Sequence, residues 1–209
     1  GSTGVVGAAG SIGSISATLI ARRGYKNLIL IDVERKKDRL EETVQEIIRV
    51  APNTNITVSF DTKDIKTADF IIAATNTPEA LITASLLKPG AVVIDDAQPS
   101  DVALDVLDRP DVMAIEAGVV ETPGISSNFN LGLKGAHDNF CCMAEVLVLA
   151  SHEWKSNFVI KKTTLDFVDK IVEWSTPLGF KVGKLQNRKE LISKEKIERV
   201  IATRKHTVQ

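Results

Sequence analysis

Residues 5–13, which read Val-Val-Gly-Ala-Ala-Gly-Ser-Ile-Gly, decide the fold of this chain. Apolar strand residues lead into three glycines at the spacing Gly-x-x-Gly-x-x-Gly, and a helix-forming stretch follows, which is the context that a dinucleotide-binding turn requires. Gly7 allows the tight turn, Gly10 lets a pyrophosphate approach the backbone, and Gly13 lets the helix pack closely on the strand. The stretch therefore predicts a phosphate-binding turn at a helix N-terminus, the alternative being an ordinary glycine-rich loop.

A carboxylate stands where such a turn needs one. Asp32 ends the second predicted strand, about twenty residues after Gly13, where an acid binds the adenine-ribose hydroxyls of NAD and repels the 2′-phosphate of NADP. The basic residues Arg35, Lys36 and Lys37 follow, and they either neutralise such a phosphate or form the solvated first turns of a surface helix. We therefore expect NAD as the cofactor, with NADP as the alternative.

The ends of the later strands extend this site, because ligands of open α/β sheets bind beyond the carboxyl ends of the strands. Thr75 and Asn76 follow the fourth predicted strand and are expected along the nicotinamide half of the cofactor. Asp95-Asp96 and Glu116 end the next two strands, where they either border the reaction centre or serve as turn residues. The predicted cofactor residues are Gly7, Ala9, Gly10, Ser11, Ile12, Gly13, Asp32, Thr75 and Asn76.

Apolar runs alternate with amphipathic stretches along the chain, which is typical of βαβ units. Strands are predicted over residues 3–6, 28–32, 56–60, 70–74, 92–95 and 112–116. Helices are predicted over residues 11–23, 35–50, 79–87, 102–107, 139–154, 164–175 and 188–204, with a long loop over 118–135. The predicted fold class is α/β, a doubly wound parallel Rossmann sheet with a helical C-terminal extension.

This pattern also predicts the domain organisation. We expect residues 1–135 to form an NAD(P)-binding Rossmann domain and residues 136–209 to form the helical extension. No segment resembles a substrate-binding domain, so we expect the chain to be the back part of a longer polypeptide that carries one at its N-terminal side.

The composition excludes several classes of protein. Hydrophobic residues make up 44% and charged residues 25% of the 209 residues, which is ordinary for a globular chain. Lys+Arg number 26 against 27 Asp+Glu, so the basic surplus of a nucleic-acid-binding protein is missing. The apolar runs are too short for a membrane span. Two adjacent cysteines predict reduced thiols and a cytoplasmic location, and the spacing of cysteine and histidine predicts no metal site.

The adjacent Cys141 and Cys142 are the candidates for covalent chemistry. They lie near the start of the helix predicted over 139–154, with Asp138 as its N-cap. The helix dipole and the N–H groups of a first turn stabilise a thiolate, which attacks a carbonyl carbon well, and a thioester accepts a hydride. His137 lies one turn before Cys141 and could hold a proton. The alternative is that both cysteines are small buried side chains of a core helix.

Four blocks of sequence resemble a known family. They are residues 5–13, residues 94–97 (Ile-Asp-Asp-Ala), residues 117–121 (Ala-Gly-Val-Val-Glu) and residues 140–145 (Phe-Cys-Cys-Met-Ala-Glu). In order and spacing they resemble the cyanobacterial long-chain acyl-(acyl-carrier-protein) reductases, over roughly residues 4 to 183. Those enzymes take an acyl chain from the carrier protein onto a cysteine and reduce the thioester to an aldehyde. The resemblance implies an acyl thioester substrate, an acyl-carrier protein as partner, and Cys142 as the catalytic nucleophile.

The chain also departs from this family, which uses NADPH and lacks an acid at the position of Asp32. The sheet further resembles the nucleotide domain of shikimate, amino-acid and glutamyl-tRNA reducing enzymes. Two other hypotheses therefore stay open. One is an amino-acid or shikimate-type dehydrogenase that forms no covalent intermediate, and the other is a non-catalytic nucleotide-sensing module.

The C-terminal segment 181–209 carries nine Lys/Arg and three Glu. Such a segment either steers an acidic carrier protein or forms a solvated amphipathic helix. The apolar residues expected to pack inward in the second case are Leu191, Ile192, Ile197, Val200 and Ile201. A homo-oligomer is a further alternative that the sequence leaves open.

Overall fold

The computed structural model describes residues 1–160 and 162–207. The chain forms two compact units: the first comprises Gly1–Ile115 together with the segment from Ser193 onward, and the second is Glu116–Ile192. The predicted domain boundary at residue 135 lies inside the second unit and stays a prediction about independent domains.

The first unit is built on a six-stranded sheet. Its strands are β1 (Thr3–Val6), β2 (Asn27–Ile31), β3 (Asn55–Ser59), β4 (Phe70–Ala73), β5 (Val92–Asp95) and β6 (Met113–Glu116). They are arranged in the order β3-β2-β1-β4-β5-β6, and β1 pairs in parallel with both β2 and β4. This is the strand order of a doubly wound dinucleotide-binding fold, so the predicted fold class is confirmed.

Two apolar clusters cover the two faces of this sheet, because successive side chains of a strand point to opposite faces. Val5 packs in one cluster with Ala17 of helix α1 (Ser11–Arg22) and Leu40 of helix α2 (Lys37–Val50). Val6 packs in the other cluster. The single strand β1 therefore contributes to both layers of the core, and β1 is buried over all four residues.

The predicted helix over 79–87 is wrong. The structure has only a short 3-10 turn at Ala84–Leu86, and Ile82 bridges to Val102 instead. The Arg109 guanidinium donates hydrogen bonds to the carbonyl oxygens of Ala84 and Leu87, at 2.8 and 2.7 Å. The Ile82 N–H donates to the Asp101 carbonyl, and the Ala103 N–H donates to the Ile82 carbonyl, so the backbone around Ile82 makes strand-like bonds instead of helical ones. The predicted helix over 102–107 is shortened to α3 (Leu104–Leu107).

The second unit combines a small antiparallel sheet with two helices. Strands β7 (Val119–Glu121), β8 (Asp138–Phe140) and β9 (Lys181–Val182) are ordered β8-β7-β9, and the helices are α4 (Cys141–Ser151) and α5 (Leu165–Ser175). The predicted loop over 118–135 is therefore wrong at its start, where β7 lies. The predicted helix over 139–154 begins two residues later, because β8 continues to Phe140.

The last helix, α6 (Lys194–Thr207), begins six residues later than predicted and belongs to the first unit. Val200 is buried as expected, whereas Leu191 and Ile201 are wrong predictions, since both are exposed. The Arg204 guanidinium donates to the Gly90 carbonyl at 2.7 Å and lies 4.2 Å from the centre of the Phe70 ring. Within the described residues, no helix combines the length and the apolarity needed to cross a bilayer.

Candidate functional site

The glycine turn after β1 has the geometry predicted for it. Gly7 has a φ of +83°, and a Cβ atom there would lie 2.5 Å from the carbonyl oxygen of Ala74. The N–H groups of Gly7 and Ala8 donate to the Ile31 carbonyl at 2.9 and 3.1 Å, which ties the turn to the end of β2. A side chain at Gly7 is therefore excluded both by backbone conformation and by space.

The start of α1 provides the phosphate-binding features. Gly10 is the N-cap residue, and since it has no side chain, the N–H groups of the first helical turn remain available to a ligand. A Cβ at Gly13 would lie only 2.1 Å from the Gly7 carbonyl oxygen, so glycine is what allows the helix to approach the turn. Ser11 and Ile12 are exposed beside this cradle. The residues present thus fit a dinucleotide pyrophosphate.

Asp32 closes the turn from the side of β2. Its carboxylate is 8% exposed as a residue and accepts the Ala9 N–H at 2.9 Å and the Val33 N–H at 2.8 Å. The Lys36 ammonium forms an ion pair with it at 3.3 Å. A carboxylate offers about four lone-pair positions, so these three partners leave room for one further hydrogen bond. Whether a ribose hydroxyl takes that position stays a prediction.

A network of carboxylates lies beyond β4 and β5. Asp101 is fully buried and accepts hydrogen bonds from the Thr75 hydroxyl at 2.6 Å and from the Thr75 N–H at 3.1 Å. Asp95 accepts hydrogen bonds from the Ser100 hydroxyl and from the Ala97 and Asp101 N–H groups. Thr75 is thus oriented by a residue that the sequence did not single out. Its neighbour Asn76 is exposed.

Asp96 differs from these neighbours. Burial raises the pKa of Asp96 above the usual range of a carboxyl group, and the charge of Asp95 raises it further. Burial also raises the pKa of Asp101, against the hydrogen bonds from Thr75 that lower it. Within the described part of the chain, no hydrogen bond or ion pair to the Asp96 carboxyl is found, so no such contact offsets the effect of burial on its pKa. Asp96 is therefore a candidate for proton exchange at the carboxyl edge of the sheet.

Sequence reasoning missed Asp101, and no local signal would have found it. The residue bonds to Thr75 across 26 positions of the chain, so its role depends on the pairing of β4 with β5. By contrast, the doublet Asp95-Asp96 was visible because it ends an apolar strand.

The cysteines lie in the second unit, at the first two positions of α4. Both are exposed, so the alternative of two buried core side chains is wrong, and the described residues contain no disulfide. The predicted N-cap is also wrong: Phe140 occupies that position, and the Asp138 carboxylate instead accepts the N–H of Gly135, in the loop before β8, at 2.9 Å. The first turn of α4 therefore begins with the thiols themselves.

The residues beside the first turn of α4 contact backbone carbonyl oxygens of the segment 118–125. The Cys141 N–H donates to the Gly118 carbonyl at 2.7 Å, which joins α4 to β7. His137 is exposed, and its Nδ1 lies 3.3 Å from the Ile125 carbonyl oxygen. Along α4, Val148 is buried and Met143 is exposed. Across residues 1–160 and 162–207, no three His, Cys, Asp or Glu side chains are grouped so as to hold a metal ion.

No protein-family model matches the chain. Among curated proteins it is 28% identical over 200 residues to the aminotransferase PigE of Serratia sp. (strain ATCC 39006). The match covers 92% of this chain and 23% of that protein. The chain thus spans less than a quarter of the length of this relative.

Two solved structures are similar to part of the chain. The nucleotide-binding domain of glutamyl-tRNA reductase from Thermoplasma volcanium is 20% identical with a TM-score of 0.40, over 54% of this chain and 73% of that chain. The Δ(1)-pyrroline-2-carboxylate reductase of Thermococcus litoralis, in complex with NADH and L-proline, is 11% identical with a TM-score of 0.39, over 46% and 29%. The strand order itself defines the class: this chain carries a Rossmann-type α/β fold.

Replacing Gly13 with Ala tests the close approach of α1 to the turn. We expect Gly13→Ala to lower the free energy of unfolding by about 2–3 kcal/mol, because the new methyl group overlaps the Gly7 carbonyl. The clash outweighs the gain of about 1 kcal/mol in helix propensity. Gly4→Ala is the matched control, since its Cβ would meet Ala68 at an ordinary 3.5 Å. Urea unfolding of both variants measures this, and equal effects would contradict it.

The raised pKa of Asp96 predicts a pH-dependent stability. The folded state holds this proton more tightly than the unfolded chain, whose carboxyl titrates near ~3.9. Stability is therefore lost as pH rises through the folded-state pKa, and Asp96→Asn removes that loss. We expect the unfolding free energy of Asp96→Asn relative to the natural protein to increase with pH over this window and then level off.

The check is urea unfolding across the acid range, with Glu42→Gln on the exposed face of α2 as the control for the loss of one negative charge. A constant difference between Asp96→Asn and the natural protein at all pH values would show that the Asp96 proton is not held more tightly in the folded state.

Proposed function

We propose that this chain is a nicotinamide-dependent oxidoreductase that reduces an acyl thioester to an aldehyde through an acyl-enzyme on Cys142. The observation that carries the proposal is the exposed thiol in the first turn of α4, in a chain that also carries the glycine turn of a dinucleotide-binding fold. The N–H groups of a first helical turn stabilise a thiolate. The resemblance of residues 140–145 to the acyl-carrier-protein reductases supports the choice of Cys142 over Cys141.

The chemistry balances with one nicotinamide per acyl group. The Cys142 sulfur attacks the carbonyl carbon of the thioester, the bond to the leaving sulfur breaks, and the proton of the thiol passes to the leaving thiolate. A bound reduced nicotinamide supplies the hydride. The hydride would add to the same carbon while the oxygen takes a proton from solvent or a nearby acid, which gives a hemithioacetal. As its carbon–sulfur bond breaks, the hydroxyl proton passes to the Cys142 sulfur, so that the aldehyde and the free thiol are released. The products are an aldehyde, the free enzyme and the oxidised cofactor.

Asp32 supports NAD over NADP as the cofactor. Its carboxylate lies at the end of β2, and the acceptor position left over by Ala9, Val33 and Lys36 suits a ribose hydroxyl. The 2′-phosphate of NADP would bring its charge against a carboxylate whose side chain is only 4% exposed. NADP is the alternative, because the Lys36 ammonium that pairs with Asp32 would be the group that neutralises the charge of a 2′-phosphate.

A second candidate is a dehydrogenase that transfers hydride without a covalent intermediate. The observation that favours it is the unpartnered carboxyl of Asp96, whose raised pKa suits a proton donor to a carbonyl or imine. Acyl-carrier protein as a partner and a cytoplasmic location belong to the first candidate as further proposals. The curated relative is named an aminotransferase. Because this chain matches less than a quarter of that protein, we do not propose aminotransferase activity for it.

Cofactor choice is tested at Asp32. We expect the protein to bind NADH more tightly than NADPH, and Asp32→Asn to shift the ratio of the two affinities toward NADPH by roughly tenfold, about 1.4 kcal/mol. The amide keeps an oxygen for the Ala9 N–H while removing the charge. Asp38→Asn, an exposed acid of α2, should leave the ratio unchanged. Calorimetric titration measures all four affinities, and tighter binding of NADPH to the natural protein would overturn the choice of NAD.

Covalent catalysis is tested with the two neighbouring cysteines. We expect Cys142→Ala to lower NADH-dependent reduction of octanoyl-CoA by roughly three orders of magnitude. Cys141→Ala is the matched control, because it removes an equally exposed thiol one position away and should keep most of the activity. Aldehyde formation is followed by chromatography. Activity that survives in Cys142→Ala would favour the dehydrogenase without an acyl-enzyme.

A further inference from the structure

A hollow of about 340 Å³ lies in the second unit against the exposed side of α4. It is lined by residues 125–127 of the loop after β7, by Asn139 of β8, and by Met143, Val146 and Leu147 of α4. None of these lining residues carries a charge, and four of the seven are large apolar residues. The hollow therefore suits an uncharged hydrocarbon rather than a phosphate or a carboxylate.

Two residues that line the hollow lie close to Cys142 along α4. Residues four apart on a helix share a face, with about 5–6 Å between their Cβ atoms, so Val146 lies one turn beyond Cys142. Met143, the next residue after Cys142, lines the same hollow. A chain attached to the sulfur would enter the hollow along these two side chains. The thiol and the hollow belong to the same short stretch of α4, so their spacing follows from helix geometry alone.

The exposure of the lining points to a missing apolar partner. Val146 is 63% exposed and Met143 is 40% exposed. Covering large apolar side chains gains about 25 cal/mol per Å² of buried area, so an aliphatic chain in the hollow would be favourable for both partners. At the strand side of the hollow, Asn139 is 3% exposed and held by the Thr122 hydroxyl, which gives this wall a fixed position.

We propose that this hollow is the acyl-chain subsite of the Cys142 acyl-enzyme and that it takes an unbranched aliphatic acyl group of medium length. The proposal rests on the proposed function, because it needs the acyl-enzyme. At about 30 Å³ for one water-sized group, the hollow holds on the order of ten such groups. An acetyl group would leave most of it unfilled, and an octanoyl group would occupy most of it.

The first experiment measures acylation without reduction. In the absence of a nicotinamide, the Cys142 sulfur forms a bond to the acyl carbon, the bond to the coenzyme A sulfur breaks, and the proton leaves with coenzyme A. The acyl-enzyme then accumulates and is followed by intact-protein mass. We expect octanoyl-CoA to acylate Cys142 at least about tenfold faster than acetyl-CoA, because its added methylene groups are buried.

The hollow is then filled by substitution. Val146→Trp should lower the ratio of the octanoyl rate to the acetyl rate by roughly tenfold. The matched control is Val172→Trp, which places the same side chain on the exposed face of α5, where the valine is 56% exposed and does not line the hollow. An unchanged ratio of octanoyl to acetyl rates in Val146→Trp would overturn the subsite.

A spectroscopic readout separates failure of the subsite from failure of the proposed function. The chain has two methionines: Met143 lines the hollow, and Met113 lies buried in β6. With ¹³C-methyl methionine, octanamide should shift the Met143 signal and leave the Met113 signal unchanged, and Val146→Trp should abolish the shift. Met113 lies in the first unit, so its intact signal shows that the first unit of the variant is folded.

Adduct formation without any Met143 shift would overturn the subsite and leave the acyl-enzyme standing. Absence of any adduct from either acyl-CoA would overturn the proposed function, and with it the acyl-enzyme role of the hollow.

Discussion

The close approach of α1 to the Gly7 carbonyl oxygen constrains the first unit. The helix can begin where it does only because Gly13 has no Cβ, which would otherwise lie 2.1 Å from that oxygen. The same turn is tied to β2 through the Ile31 carbonyl, so strand, turn and helix form one rigid element. Because the N-cap is a glycine, the element leaves its first-turn N–H groups for a ligand.

Two buried carboxylates hold the loops at the carboxyl ends of the parallel strands. Asp32 holds the Ala9 N–H from β2, and Asp101 holds both the N–H and the hydroxyl of Thr75. Each carboxylate therefore fixes a loop that follows a strand of the sheet, where ligands of such folds bind.

In the second unit, the two cysteine thiols lie at the junction between β8 and α4. The Asp138 carboxylate accepts the N–H of Gly135, in the loop before β8, and does not cap α4. The helix therefore begins without a side-chain cap. The two thiols thus occupy the first turn and face solvent. The residues one turn further on are large, apolar and exposed, which places a hydrocarbon-lined hollow next to a nucleophile. The proposed thioester substrate would use both features: the sulfur for its carbonyl carbon and the apolar surface for its chain.

The sequence by itself determined the Rossmann sheet, the glycine turn and the position of Asp32, because each depends on residues close together in the chain. Glycine spacing and apolar runs are local signals, and they placed all six strands of the parallel sheet within one residue at each end. The tertiary structure alone decided that 79–87 is not a helix, since Ile82 bridges to Val102 and its backbone N–H and carbonyl bond to that segment. It also decided the roles of Asp101 and Asp138, whose partners depend on strand pairing and on the loop before β8. The tertiary structure also decided that the two thiols are exposed, because the burial of a helical residue depends on what packs against the helix and not on the helix's own residues.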